Sequence, residues 1–254
     1  MNKSLNIFKF GILLMVIFIE FVFAEELTGK EIVRRQEDLM RGNSLSGRYI
    51  MTVTTPSWTR TLELDVWEKT REKTFIRILS PAKEAGTGTL RIKENMWNYL
   101  PNVERTIKIP PSMMLQPWMG SDFANDDLVK ESSIVNDYTH TILGEEEIGG
   151  ETAYRIELIP KPEAAVTWGK IILIIRKADF VPLREEYYKE NGELIKVLEY
   201  SEIKEMSGRL IPTYWRMAPQ KKEGHSTVIE VVDVKYDKPI DDGIFTLENL
   251  KRIR

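Results

Sequence analysis

The sequence predicts a mainly β (α+β) fold: an incomplete antiparallel β-barrel of one strongly bent sheet, with an N-terminal helix and a helical lid insertion. Three observations predict it. Apolar and polar residues alternate with period two in run after run between Leu45 and Tyr236. Short polar turns join those runs, as in an antiparallel meander; parallel crossovers need a dozen or more residues. Only two stretches depart from the alternation, one before Leu45 and one after Ile109, and they supply the helical covers for the sheet's apolar face.

Residues 1–24 read as a signal peptide. Lys3 and Lys9 give a weakly basic start, Phe10 to Ile19 an apolar core, and Val22-Phe23-Ala24 the small residues of a cleavage site after Ala24. The apolar run ends at Glu20, short of a comfortable bilayer span. The chain is thus expected to be exported to the periplasm. It has no cysteine, hence no disulfide and no thiol for a lipid anchor. The roughly 230 residues of 25–254 are enough to bury a core without either, and they read as a single domain.

That domain opens with a helix. Thr28-Gly29-Lys30-Glu31 fits a capping box, Ile32/Val33 recur as Leu39/Met40, and Gly42-Asn43 ends the run. Arg34, Arg35, Glu37 and Asp38 are assigned to its polar face. Strands follow. Tyr49, Met51 and Val53 alternate with polar neighbours, then Leu62, Leu64 and Val66, then Phe75 to Leu79. Trp97 to Leu100 and Arg105 to Ile109 flank a turn at Pro101-Asn102. Between them and Phe75–Leu79, the Gly86-Thr87-Gly88 run suggests a bulge or bend. The second half continues with His140–Glu146 and Glu151–Ile159 around a Gly149-Gly150 turn. Gly169–Arg176 carries five consecutive apolar residues, the pattern of a strand buried on both faces. Pro182–Lys189, Glu193–Lys204, Arg209–Met217 and Thr227–Tyr236 complete the sheet, and residues 241–245 read as a docking tail.

The departure after Ile109 is the candidate functional segment. Pro110-Pro111 stop the ladder, because neither offers an N–H. Met113, Met114, Leu115, Trp118 and Met119 then follow without strand alternation. Methionine is unbranched and polarizable and re-packs around partners of variable shape; tryptophan adds a large apolar surface with one donor. Such residues equally fill an ordinary core. Ser121 or Asp122 is expected to cap a short helix, with Phe123 turned inward.

The SPAKEAGTGTL run, the WNYLP and ERTIKIPP strands and above all the MGSDFANDDL segment resemble LolA-like outer-membrane lipoprotein-sorting proteins. The resemblance implies a periplasmic carrier that shelters acyl chains of lipoproteins or other lipids in a half-open barrel. It also implies an inner-membrane transporter as donor and an outer-membrane acceptor. The cavity and lid would then be lined by Trp97, Tyr99, Met113, Met114, Leu115, Trp118, Met119 and Phe123. The alternative is a cell-envelope interaction protein that works with a membrane transporter and carries nothing.

Other chemistry finds little support. The only histidines are His140 and His225, there is no thiol and no GxSxG elbow, so an enzyme is not expected. Asp122, Asp126 and Asp127 lack the spacing of a calcium loop, so no metal is assigned. Gly86 and Gly88 lack the Lys-Ser/Thr of a phosphate loop, and no cofactor is expected. A formal charge of −3, with both signs interspersed, gives no electrostatic footprint for nucleic acid.

Overall fold

The computed structural model describes residues 26–130, 134–164 and 168–252; the expected signal segment 1–24 and its cleavage site after Ala24 lie outside them. Helix α1 (Gly29–Arg41) starts on the expected capping box: the Thr28 N–H donates to Glu31 Oε2 at 2.9 Å and the Glu31 N–H to Thr28 Oγ1 at 3.3 Å. Gly42, at φ 61°, ends it by returning its N–H to the Asp38 carbonyl. Ile32, Val33 and Met40 are buried, as the stripe requires. Glu37 is a correction to the expected polar face: it is buried too, where it pairs with Arg41 at 3.4 Å.

Thirteen strands follow among the described residues. The first six are β1 (Ser44–Thr54), β2 (Thr59–Lys69), β3 (Lys73–Ser80), β4 (Gly88–Ile92), β5 (Asn95–Leu100) and β6 (Arg105–Lys108). After an insertion containing helix α2 (Asn125–Lys130) come β7 (Tyr138–Ile148), β8 (Glu151–Pro160) and β9 (Lys170–Arg176). Then come β10 (Pro182–Tyr188), β11 (Leu194–Met206), β12 (Arg209–Pro219) and β13 (Ser226–Tyr236). All pair antiparallel in one sheet of order 6-5-4-3-2-1-13-12-11-10-9-8-7. The chain builds outward from β1 to one edge at β6. It then crosses to the far edge at β7 and winds back until β13 closes on β1. Edge strands β6 and β7 stay unpaired with each other, so the sheet is open, not a closed barrel.

The Gly149-Gly150 turn between β7 and β8 has φ of 61° and 83°, a left-handed pair that favours glycine at both positions. The apolar run of β9 is buried on both faces. Ile171, Leu173 and Ile175 join the inner core, while Ile172 and Ile174 pack with Ala153, Leu183 and Tyr188 outside. The expected bend at Gly86–Gly88 leads directly into a strand, β4. Gly88 pairs with Arg77 and Tyr99, and a Cβ there would sit 2.7 Å from Leu250 Cδ1. That glycine admits the C-terminal tail, whose helix α3 (Leu247–Lys251) lies on the outer face.

The inner face carries two linked cores. One gathers Met40 of α1 with Met51, Leu62, Ile78, Met96 and Trp118. The other gathers Ile32 and Val33 with Phe123, Ile156, Leu158 and Leu198. Tyr200, Trp215 and Ile229 pack against both. Helix α1 therefore spans the inner face, its first half in one core and its last turn in the other.

Candidate functional site

The insertion between the two sheet edges folds on itself before it meets the wall. The Trp118 N–H donates to the Phe123 carbonyl at 2.7 Å, and Pro117 and Ala124 form an isolated bridge. Ser121 Oγ donates to the Trp118 carbonyl at 2.7 Å and accepts from the Phe123 N–H at 3.2 Å. Asn125 Nδ2 reaches the Met113 carbonyl at 3.0 Å, and its N–H the Gln116 carbonyl at 3.0 Å. Local bonds thus satisfy the backbone of a segment that leaves the ladder at Pro110-Pro111.

Four polar tethers hold this segment against four wall strands. Trp118 Nε1 donates to Thr89 Oγ1 on β4 at 3.1 Å, and that hydroxyl in turn donates to Asn98 Oδ1 at 2.8 Å. Arg60 on β2 donates to the Met119 carbonyl. The Asp122 N–H donates to Thr227 Oγ1 on β13 at 2.9 Å, and that hydroxyl donates back to Asp122 Oδ2 at 2.8 Å. Asp127 pairs with Lys196 on β11.

Between the tethers, two aromatic side chains enter the cores: Trp118, 3 % exposed, and Phe123, 7 % exposed. Met114 and Met119 pack partly buried beside Trp118. Met113 and Leu115 point away, 44 % and 60 % exposed. The segment has an inward side that packs on the sheet's apolar inner face and an outward side that leaves apolar surface in solvent.

Two other sequence-predicted residues are not brought to this place. Along β5, Met96 faces the inner core. Trp97 and Tyr99 instead join Phe75, Leu90, Phe245 and Leu250 in the outer cluster beneath the C-terminal tail. Ser121 and Asp122 do not cap α2, which begins at Asn125. Their hydrogen-bonding groups are taken up by the turn at Trp118 and by Thr227. The carboxylate at the helix start is that of Asp127, which accepts the Ala124 N–H at 2.8 Å. Thr89, Lys196 and Thr227 escape sequence reasoning, since each looks like an ordinary strand residue. A faint signal exists in Lys196, a charged residue in phase with Leu198 and Tyr200 along an inward-facing row.

The inner face also holds a buried carboxylate. Glu185 on β10 accepts from Tyr200 Oη at 2.8 Å and from Tyr187 Oη. Burial pushes the Tyr187 hydroxyl well above the usual tyrosine range, and the neighbouring Glu185 charge pushes it the same way. Tyr187 therefore stays a hydrogen-bond donor. His140, half-buried, bonds through Nε2 to the Ile134 carbonyl at 3.0 Å, in the structural position expected for it. A polar groove of about 420 Å³ opens on the outer face, lined by Ser46, Arg48, Asp65, Trp67 and Asp233. It faces away from the insertion. No group of three or more His, Asp or Glu among the described residues could hold a metal ion.

A family profile described as uncharacterized protein-like matches residues 70–252. No curated protein matches the sequence. Among solved structures, the fold is similar to a DUF1329 family protein from Desulfovibrio piger, at TM-score 0.81 and 23 % identity over 87 % of this chain and 97 % of that one. It is similar to a protein described as an outer membrane lipoprotein-sorting protein domain from Vibrio parahaemolyticus, at TM-score 0.77 and 24 % identity over 88 % and 98 %. It is also similar to a LolA superfamily protein from Nitrosomonas europaea, at TM-score 0.74 and 25 % identity over 88 % and 100 %.

Proposed function

The chain belongs to the uncharacterized protein-like family matched over residues 70–252 and has a LolA-like fold, and from that premise we propose that it is a periplasmic carrier of acyl chains. Cargo would be lipoprotein acyl groups or other lipid, received from an inner-membrane transporter and passed to an outer-membrane acceptor. The observation that carries this reading is the two-sided insertion, with Trp118 and Phe123 filling an apolar inner face and Met113 and Leu115 exposed. It acts as a lid that doubles as a stopper. A closed lid shields the inner face from water; an open one offers that face to acyl chains, each sheltered methylene contributing about 0.8 kcal/mol.

The four tethers suit a reversible closure. Each is a hydrogen bond or ion pair between the segment and the wall, and the segment's own turn bonds stay intact when they break. No helix among the described residues is long and apolar enough to cross a membrane. Mass spectrometry under non-denaturing conditions, on protein isolated from its own periplasm, tests the reading. A bound lipid mass is expected. Protein that arrives empty, and that fails to take up a fluorescent fatty acid at micromolar concentration, overturns it.

One observation favours a second reading. The same filled inner face suits a cell-envelope interaction protein that works with a membrane transporter and carries nothing, its exposed Met113 and Leu115 serving as contact residues. That protein would pass through the same experiment empty.

A further inference from the structure

Lys196 is an unusual residue to find on the inner face. It is 4 % exposed, in register with Tyr187 of β10 and Pro219 of β12, and its row continues into the apolar core at Leu198. Its ammonium lies 4.9 Å from the Trp168 ring centroid and 5.0 Å from that of Tyr187. Those two rings are themselves 5.2 Å apart and tilted by 57°. They form two walls of a cage of the kind that holds a cation by ring electrostatics. The carboxylate of Asp127 completes it.

The three partners differ in origin. Tyr187 belongs to the sheet and Trp168 to the β8–β9 connection, whereas Asp127 arrives on the insertion. When the lid opens, the cage stays and its carboxylate departs. A buried ammonium that loses its counter-ion is strongly disfavoured, far more than a broken surface pair would be. The wall carboxylate Glu185 already receives the hydroxyls of Tyr187 and Tyr200. An anion that enters with the cargo restores what Asp127 removes.

We propose that Lys196 is the receptor for an anionic headgroup, so that the cargo is an amphiphile with a carboxylate or phosphate beside its acyl chain, bound by exchange for Asp127. The inference rests on the carrier reading and sharpens it. A neutral acyl group would have to leave Lys196 uncompensated, and so would compete poorly with the lid. An anionic one takes over the ion pair while its chain replaces Trp118 and Phe123.

The test is displacement of a neutral polarity-sensitive dye, Nile red, from the purified protein at pH 8. Oleate, oleoyl lysophosphatidate, monoolein and inorganic phosphate serve as competitors. Oleate and lysophosphatidate should displace the dye at concentrations at least tenfold below monoolein, and phosphate alone should not displace it. Lys196→Met should bring the three amphiphiles within about twofold of one another, and Lys196→Arg should keep the preference. Asp127→Asn should improve both anions about tenfold, and monoolein by less, since it removes a competing carboxylate as well as a tether.

Equal affinity of the wild-type protein for all three amphiphiles overturns the inference and leaves the carrier reading standing. So does a preference that survives Lys196→Met, or displacement by inorganic phosphate alone. Failure of every amphiphile to bind removes both. If Lys196→Met does not fold, the wild-type headgroup ratio and its change in Asp127→Asn still decide the matter.

Discussion

Trp118→Ala separates a lid from an ordinary piece of core. The side chain is buried in the same core as Met51, Leu62 and Met96, so its truncation removes about 3–5 kcal/mol of packing. No orphaned hydroxyl adds to that, because Thr89 keeps its bond to Asn98. Where the loss falls is the question. If the insertion closes independently of the sheet, the loss weakens closure alone. At about 1.4 kcal/mol per tenfold, the open fraction then rises roughly 150- to 4,000-fold. Hydrogen exchange read by mass spectrometry should show the amide of Asp122, whose bond to Thr227 on the wall is broken by opening, accelerating by that factor, unlike amides whose bonds stay within the sheet. Those of the β11–β12 ladder should keep their protection. Apparent affinity for an acyl ligand should rise in proportion until the open form saturates, because only the open form binds. The sign matters: a segment that merely covered the cargo would give weaker binding on truncation, whereas one that occupies the cargo's place gives tighter binding. Uniform acceleration across the sheet, a cooperative fall in melting temperature and unchanged affinity per folded molecule would refute the reasoning.

Two further outcomes are expected. Phe245→Ala should lower unfolding free energy in urea by about 3–5 kcal/mol. Phe245 is buried with Phe75, Leu90 and Tyr99 beneath the tail, and loss of that cover should also promote aggregation, read by light scattering. His140 should make the protein less stable in mild acid. Burial holds its pKa below the ordinary 6.5, and Lys30 and Lys161 push it the same way. The unfolded chain therefore binds the proton first, and stability is full above about 6.5 and falls as pH drops through that value toward the folded pKa. Melting temperatures from pH 7.5 to 5 should show the loss, and His140→Gln should flatten that part of the profile.

Much of the sheet is legible in the sequence because one face is buried along most of its length. Leu62 and Leu64 are covered while Thr61 and Glu63 are not, and a period-two pattern records that contrast. Legibility fails on β4, where both faces are covered and polar residues occupy the inner one. On β4, Thr89 and Arg91 face the insertion side while Leu90 and Ile92 face the tail. The polar residues point inward and the apolar ones outward, so alternation gives the wrong sense and the strand hides behind its glycines. The same inversion sends Trp97 and Tyr99 to the outer cluster, since an aromatic strand residue seeks whichever cover is nearer.

The site is harder still to read. Its chemistry depends on residues far apart in the chain: Asp127 with Lys196, Asp122 with Thr227, Trp118 with Thr89. Local pattern identifies the insertion, because a methionine-rich stretch without alternation is visible by itself. It cannot say which wall residues meet the insertion, because a lysine or threonine on a strand looks the same whether it faces solvent or a caged carboxylate. The site is therefore half legible: the insertion announces itself in composition, and the wall residue proposed to select a headgroup appears only when β11 is laid beneath it. If headgroup charge is what opens the lid, Lys196 is where specificity resides, and the methionines of the insertion, packed against the other core, set only how much acyl chain the opening can accept.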